Sequence, residues 1–294
     1  MSFTSDEIAR QPDAWRRAAE TAASWRGLPA PGERVAVVGC GTSWFMAEAY
    51  AVLRESRGLG ESDFFAASAF PAGRAYDRVV AITRSGTTTE VLDVLGRVRG
   101  TCPTVALTAD TATPVATAAD HLVDLAFADE RSVVQTLFAT TALTALRASL
   151  GEDVEPLARA AETALGEPLP EAWLAAEQIT FLGDGWAHGV AREAGLKMRE
   201  SAQAWTEAYP SMEYRHGPIS IAAPHRLVWH FGEDTAGLAA DVAPTGAAFV
   251  DHPQDPQADL VRVQRLAEAT ARRRGLDPDR PRSLSRSVVL KPRP

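Results

Sequence analysis

Short apolar runs alternate with amphipathic stretches along the first half of the chain. The run RVAVV ends in a glycine turn, and helical spacing of apolar residues follows from about Ser43. This pattern predicts a buried strand at Val35–Val38 and then a helix, because buried strands are short β-branched runs and helices have a 3.6-residue period. The same criteria predict further strands and helices at DFFAASAF, RVVAIT, Glu90–Arg99, TVALTA (Thr104–Ala109), HLVDLAF and about Ser132 to Leu150.

The pattern restarts in the second half, after a polar, proline-punctuated helical stretch that begins near residue 151. ITFLGDGWAHGVAREAGLKMRESAQ again predicts strand, glycine turn and helix, which makes it a degenerate repeat of the unit at Val35. Further elements are predicted at RLVWHF, AAFVDH and Gln257–Arg274, before an extended, proline-broken tail.

Alternating strands and helices predict the α/β class. We expect two subdomains, each a three-layer α/β/α sandwich around a parallel, flavodoxin-like sheet. Residues 1–150 would form an N-terminal helix and the first subdomain, and residues 151–294 the second.

Composition and charge narrow the class of protein. The chain has 294 residues and is 46% hydrophobic, enough for a substantial core. No apolar run approaches the roughly 18 residues of a membrane span, and the start lacks the pattern of a signal peptide. Two cysteines, Cys40 and Cys102, are too few for a disulfide framework, so we expect a reduced, cytoplasmic protein. A net charge of −8 without a basic block argues against nucleic acid as the main partner, and the lack of a long apolar run argues against a membrane partner.

The turn TRSGTTTE, Thr83–Glu90, is rich in hydroxyls. A helix N-terminus suits a phosphate because it exposes unpaired N–H groups. Hydroxyls add neutral donors, Gly86 lets the backbone come close, and Arg84 could add a charged fork. The alternative is a capping box, because Thr87 and Glu90 fit S/T-x-x-E. A capping box leaves four hydroxyl side chains without a role, namely those of Thr83, Ser85, Thr88 and Thr89. Phosphate binding is therefore the favoured interpretation.

GCGTS, Gly39–Ser43, is a second glycine and hydroxyl turn that opens a helix. It does not match the dinucleotide motif G-x-G-x-x-G, because Trp44 stands at the third glycine position. Both turns follow predicted strands, so both should lie at the carboxyl edge of one sheet, where ligands of open α/β sheets bind.

The second half carries the ionisable groups. Lys197 and Glu200 are three residues apart on one predicted helix, where a surface ion pair is the simplest interpretation. His216 lies in a turn before Gly-Pro, and a lone histidine there is most simply a surface or capping residue. Near a phosphate, these three groups would suffice for proton transfers on a sugar. The six histidines are scattered, so neither a metal site nor a cofactor is expected.

Five segments carry a family resemblance across nearly all of the chain. They are EIARQP, VVGCGTS, ITRSGTTTEVL, REAGLKMRESAQAWTEAYPSMEYRHGP and DPDRPRSLSRSVVL. In this order they resemble the sugar-isomerase (SIS) double-domain family, whose best-known member is the isomerase half of glucosamine-6-phosphate synthase. The synthase's glutamine amidotransferase domain has no counterpart here, so no ammonia supply is expected.

The resemblance implies roles for individual residues. Glu200 falls on the base that moves a proton between sugar C1 and C2, and Lys197 on its neighbouring catalytic lysine. His216 falls on the ring-opening histidine, which the second subunit of a homodimer contributes. The implied phosphate ligands are Ser43, Thr83, Arg84 (where the synthase has glutamine), Ser85 and Thr88. Weaker substrate contacts are expected from Cys40, Gly41, Thr42 and Gly86.

Arg286 departs from the synthase pattern. It stands where the synthase has a lysine that contacts the sugar carbonyl, and an arginine stays protonated and does not form a Schiff base. Arg286 can still act as a catalytic residue by stabilising an enolate or a carboxylate-like oxygen. We therefore expect an enzyme that acts on a hexosamine 6-phosphate, such as the glucosamine or N-acetylglucosamine compound, as an isomerase/deaminase or as a C3-eliminating dehydratase. The alternatives are a non-catalytic phosphosugar sensor and, less favoured, a nucleotide-dependent enzyme.

Overall fold

The computed structural model describes residues 2–71 and 73–290. The chain divides into two compact units. Residues 13–130, 137–154 and 284–290 belong to the first, here the five-stranded unit, and residues 2–12, 131–136 and 155–283 to the second, the four-stranded unit. The prediction divides the chain at residue 150, which puts residues 2–12 in the first subdomain and residues 284–290 in the second. In the structure, residues 2–12 cluster with the four-stranded unit and residues 284–290 with the five-stranded unit.

The strands of the described residues follow the predicted order except for β7, which the sequence pattern did not predict. They are β1 (Val35–Gly39), β2 (Ser62–Ala66), β3 (Arg78–Ile82), β4 (Thr104–Thr108), β5 (His121–Asp124), β6 (Gln178–Gly183), β7 (Trp205–Pro210), β8 (Arg226–Phe231) and β9 (Ala248–His252).

Helices connect and follow these strands. They are α1 (Phe3–Ala9), α2 (Gln11–Thr21), α3 (Thr42–Ser56), α4 (Thr89–Val98), α5 (Val115–Ala118), α6 (Leu137–Ser149), α7 (Glu155–Gly166), α8 (Glu171–Leu174), α9 (Ala187–Ala202), α10 (Leu238–Val242) and α11 (Pro256–Arg273). Among the described residues, none of these helices combines the length and apolarity that crossing a membrane requires.

Both sheets are parallel, which confirms the predicted α/β class. The five-stranded sheet has the order β2-β1-β3-β4-β5 and the four-stranded sheet the order β7-β6-β8-β9. Strand order reverses beside β1 in the first sheet and beside β6 in the second. Such a reversal opens a crevice at the carboxyl ends of the central strands.

Helices cover the sheets, so the central strands are fully buried. Ala36 and Val38 of β1 pack with Val79 and Ala81 of β3 against the apolar side of α4. Every residue of β1 and β4 is buried, as parallel strands require when helices lie on both faces. This packing fixes where the turns after β1 and β3 emerge.

Two elements differ from the expectation. Helix α6 begins at Leu137 and not near Ser132, because the Leu137 N–H donates to the Glu130 carboxylate at 2.6 Å, while Ser132 hydrogen-bonds to Glu7. Strand β7 was not predicted. It is an edge strand, and α9 ends before it at Gln203, a non-glycine residue in the left-handed conformation (φ 51°).

Candidate functional site

The two hydroxyl turns of the five-stranded unit emerge side by side. β1 and β3 are adjacent parallel strands, and the first turn leads from β1 into α3 and the second from β3 into α4. The structure therefore places Ser43 and residues 83–88 at the carboxyl edge of one sheet, beside its point of strand reversal. This is the arrangement that the sequence predicts.

Thr83 is the buried residue that begins the second turn. Its side chain is 4% exposed, and its hydroxyl has no hydrogen-bond partner among the described residues. A buried polar group without a partner costs free energy, so such groups frequently mark a ligand position. Ser43 (3% exposed) and Ser85 (8%) are buried at the same edge.

The capping box of Thr87 and Glu90, the alternative to phosphate binding, does not form. Helix α4 has Thr88 at its N-cap, without a side-chain capping bond. The Thr87 hydroxyl instead lies 3.1 Å from that of Ser85 and 2.9 Å from that of Ser287. Thr87 thus belongs to a cluster of three hydroxyls, in which Ser85 and Ser287 are themselves 3.1 Å apart.

Gly86 is required by local packing. Its φ is +62°, and a Cβ there would lie 2.0 Å from the Thr113 hydroxyl oxygen. A side chain is thus excluded whether or not a phosphate approaches.

Arg84 points into the protein. Its guanidinium lies 3.5 Å from the Glu130 carboxylate, and the two side chains are 1% and 0% exposed. It also donates to the Arg286 carbonyl at 3.2 Å. The structure gives Arg84 a buried anionic partner, while its predicted contact with a phosphate stays a prediction.

The C-terminal tail lies along the second turn. The Thr89 N–H donates to the Val288 carbonyl at 3.3 Å, and the Leu290 N–H donates to the Thr89 hydroxyl at 2.9 Å. Arg286 directs its guanidinium at the Asp129 carboxylate and the Glu130 carbonyl. Its expected catalytic role, stabilisation of a substrate enolate oxygen, stays a prediction.

Cys40 lies in the first turn with Gly41 (φ +55°) and Thr42, the first residue of α3. Burial raises the pKa of the Cys40 thiol to about 11, and the negative charge of Glu90 adds to the effect. The thiol is therefore neutral near pH 7 and does not repel an anion.

Helix α9 of the four-stranded unit carries a buried lysine between two carboxylates. The Lys197 ammonium lies 2.5 Å from Glu200 Oε2 and 3.4 Å from Glu193 Oε1. The Lys197 and Glu193 side chains are each 1% exposed, whereas Glu200 is 18% exposed. The simplest interpretation, a surface ion pair, is therefore wrong, because this lysine is buried.

His216 is an exposed residue of the same unit. It ends the 3-10 helix Met212–His216, and Gly217 follows with φ +133°. Its imidazole stands at the surface, whereas Lys197 is buried in α9. No group of three or more metal-ligating side chains occurs in the described part of the chain.

Sequence reasoning missed Glu193, Glu130 and Ser287. The contact of Glu193 with Lys197 was predictable, because residues four apart on a helix are neighbours and can form an ion pair. The contacts of Glu130 and Ser287 were not predictable, because these residues meet the second turn only through the fold.

Comparisons with known proteins agree with this fold. No family model matches the chain. A glutamine–fructose-6-phosphate aminotransferase (isomerizing) of Sulfurisphaera tokodaii is 25% identical over 295 residues, which cover 88% of this chain and 50% of that protein. The chain thus spans about half the length of this curated relative.

Two solved structures share the architecture. Glucosamine-6-phosphate deaminase of Thermotoga maritima superposes with a TM-score of 0.80 at 22% identity, covering 98% of this chain and 100% of that one. Tagatose-6-phosphate ketose/aldose isomerase of Escherichia coli gives 0.79 at 20% identity, covering 99% and 96%. The resemblance that the motifs indicate is confirmed: the chain has the sugar-isomerase fold and is similar to the isomerase domain of glutamine–fructose-6-phosphate aminotransferases.

Proposed function

We propose that the protein is a phosphosugar isomerase/deaminase that acts on a hexosamine 6-phosphate. His216 opens the sugar ring, Glu200 removes the proton at C2, and the turn after β3 binds the phosphate. Reprotonation of the resulting enediol(ate) at C1 gives the ketose. Where C2 carries an amine, reprotonation of the enamine at C1 gives a C2 iminium ion, and water adds to it and releases ammonia and the ketose. These steps need a base, an acid and an anion site, and no redox step.

The observation that carries the proposal is the buried Glu193–Lys197–Glu200 set on α9. A lysine that is 1% exposed between two carboxylates is costly to maintain, and a sensor of phosphosugars does not need it. Lys197 holds one oxygen of Glu200, and the partly exposed carboxylate of Glu200 can reach a substrate. The set therefore favours an enzyme over a binding protein.

Phosphate binding is supported by Thr83, whose buried hydroxyl has no partner within the described part of the chain, and by the hydroxyls of Ser43, Ser85 and Thr88 at the same sheet edge. The net charge of the chain is −8, so a phosphate dianion must be held by local contacts. Hydroxyl groups supply such contacts as hydrogen-bond donors to the phosphate oxygens. Arg84 supports the turn through its buried pair with Glu130.

Arg286 argues against amination through a Schiff base on this side chain. In the structure, the Arg286 guanidinium binds the Asp129 carboxylate. This ion pair also holds the C-terminal tail beside the turn after β3. Isomerisation and deamination need no Schiff base here, so they fit this residue better than synthesis does.

We propose further that the active form is a cytoplasmic homodimer in which His216 serves the neighbouring subunit. The exposed position of His216 at the end of a surface turn supports this assignment.

The test is product analysis by NMR. The protein is incubated separately with glucosamine-, N-acetylglucosamine-, fructose- and galactosamine-6-phosphate. A ketose with free ammonia, or an aldose–ketose equilibrium, supports the proposal. An unsaturated sugar would establish C3 elimination instead, and no turnover of any of the four would favour the sensor.

A further inference from the structure

A buried serine–histidine pair, Ser211 and His230, lies at the carboxyl edge of the four-stranded sheet. The Ser211 hydroxyl is 2.9 Å from His230 Nε2, and the residues are 0% and 3% exposed. Ser211 directly follows β7 and His230 belongs to β8, so a side-chain bond links the ends of two strands that are not neighbours in the sheet. Nothing in the proposed chemistry uses this pair.

The hydrogen-bond pattern fixes the roles within the pair. His230 Nδ1 lies 3.0 Å from the Gly232 carbonyl, which can only accept. Nδ1 therefore carries the proton, and in the neutral ring Nε2 accepts from the Ser211 hydroxyl. The Asp184 carboxylate, 3.8 Å from Nε2, is the charged group at the end of β6 that faces the pair. Because Ser211 is fully buried, it is not accessible as a nucleophile.

Ser211 is the N-cap of the 3-10 helix that ends at His216. Residues 211–216, here called the His216 turn, are also held by Tyr214, which is buried with Leu182 and Val228. The other end of the turn is held by Arg215, which donates to Asp241 at 2.6 Å. The Ser211–His230 bond therefore fixes the start of the short segment whose last residue is the exposed histidine.

We propose that Ser211 and His230 are positioning residues that set the place of His216 for ring opening. This inference rests on the proposed role of His216. The bond anchors one end of a five-residue helix to the sheet, and a short 3-10 helix has few bonds of its own to hold it. A small displacement of a catalytic group is costly in rate, so the anchor acts on the ring-opening step and not on proton transfer by Glu200.

The test separates these two steps by using two sugars. Fructose 6-phosphate closes a ring, and 5-deoxyfructose 6-phosphate cannot. Exchange of the C1 proton with deuterium oxide is followed by NMR for the wild type, Ser211→Ala, His230→Leu and the double variant. Ser211→Thr and His230→Gln retain a polar group and serve as conservative variants. Gln178→Met, which removes a buried bond to Thr180 at the opposite end of β6, is the matched control.

We expect Ser211→Ala and His230→Leu each to slow exchange with fructose 6-phosphate about tenfold, the value of one buried hydrogen bond. The open-chain sugar should exchange as in the wild type, and the double variant should be no slower than the single ones, because both remove the same bond. Ser211→Thr should recover most of the rate, and Gln178→Met should affect neither sugar.

Equal losses with both sugars, or no loss with either, would overturn the positioning role. His216→Ala provides the reference. If it fails to show the selective loss with the ring-forming sugar, the role of His216 itself is wrong, and the proposed function fails at that step independently of the pair.

Discussion

At the residue scale, Thr83 links the phosphate proposal to stability. Its hydroxyl is buried without a partner among the described residues, so Thr83→Val should leave the free energy of unfolding unchanged or raise it by about 1 kcal/mol. The same change should weaken binding of a sugar 6-phosphate about 10- to 100-fold, because a hydrogen bond to a charged group is lost. Urea denaturation and calorimetric titration measure the two effects.

Thr141→Val is the matched control for this prediction. Thr141 is fully buried in α6 of the same unit, and its hydroxyl also has no partner among the described residues. Thr141→Val should change the free energy of unfolding as Thr83→Val does, but it should bind the sugar 6-phosphate with wild-type affinity. A Thr83→Val protein that bound the phosphosugar normally would show that this hydroxyl is not a ligand.

Glu33 gives a pH dependence at the same scale. Its carboxylate accepts two bonds from Arg78, at 2.7 and 2.9 Å, and these hold the pKa of Glu33 below its usual value. A depressed pKa stabilises the protein above the unfolded value of about 4.5, and this contribution is lost as the pH falls through the folded pKa. The wild-type protein should therefore lose free energy of unfolding between pH 5 and pH 3 as Glu33 is protonated. Glu33→Gln should make this loss smaller, by about 1 kcal/mol at most at this partly exposed site.

Denaturation midpoints measured across that pH window test the prediction. Glu20→Gln, a change at an exposed carboxylate of α2, is the control and should retain the wild-type acid dependence. An unaltered pH dependence in Glu33→Gln would refute the contribution of the Arg78 pair.

At the scale of elements, Glu130 joins three parts of the five-stranded unit. It pairs with Arg84, accepts from the first N–H of α6, and its carbonyl binds Arg286. Glu130→Gln removes a buried counter-charge 3.5 Å from the Arg84 guanidinium and should cost about 3 kcal/mol. Glu61→Gln, which breaks an exposed pair with Arg34 in the same unit, should cost less than about 1 kcal/mol.

Urea denaturation of both variants makes the comparison. Equal and small losses would mean that the buried pair does not stabilise the turn after β3.

Local sequence pattern was sufficient for most of the elements. Parallel strands such as β1 and β4 are buried on both faces, so they appear as continuous β-branched runs that end in turn residues. β7 lacks this signal, because it is an edge strand in which Thr206 is buried while Trp205 is exposed. α6 starts late because its N-terminal hydrogen bond comes from Glu130, outside any local capping motif.

Contacts between distant residues could not be predicted. Ser85 and Ser287 are 202 positions apart, and no periodicity connects them. The same holds for Ser211 and His230, which meet only because β7 and β8 flank β6. Residue types and turns at the candidate site were therefore predictable, while the groups that hold them in place were not.

At the scale of the whole molecule, the proposed homodimer can be tested by complementation. Glu200→Gln and His216→Ala should each be inactive alone. If His216 serves the neighbouring subunit, mixing and re-associating the two variants gives some dimers with one intact site, and about one quarter of the wild-type activity should return. A mixture that stayed inactive despite subunit exchange, shown by mass spectrometry, would contradict shared sites.

The most direct test of the account is removal of the C2 proton by Glu200. Wild-type protein and Glu200→Gln are incubated in deuterium oxide with glucosamine 6-phosphate and fructose 6-phosphate, and deuterium at C1 and C2 is measured by NMR. We predict incorporation by the wild type and a loss of at least about 100-fold in the variant, with phosphosugar affinity retained. Glu213→Gln, which changes an exposed carboxylate near His216, should exchange normally. Undiminished exchange in Glu200→Gln would contradict the account.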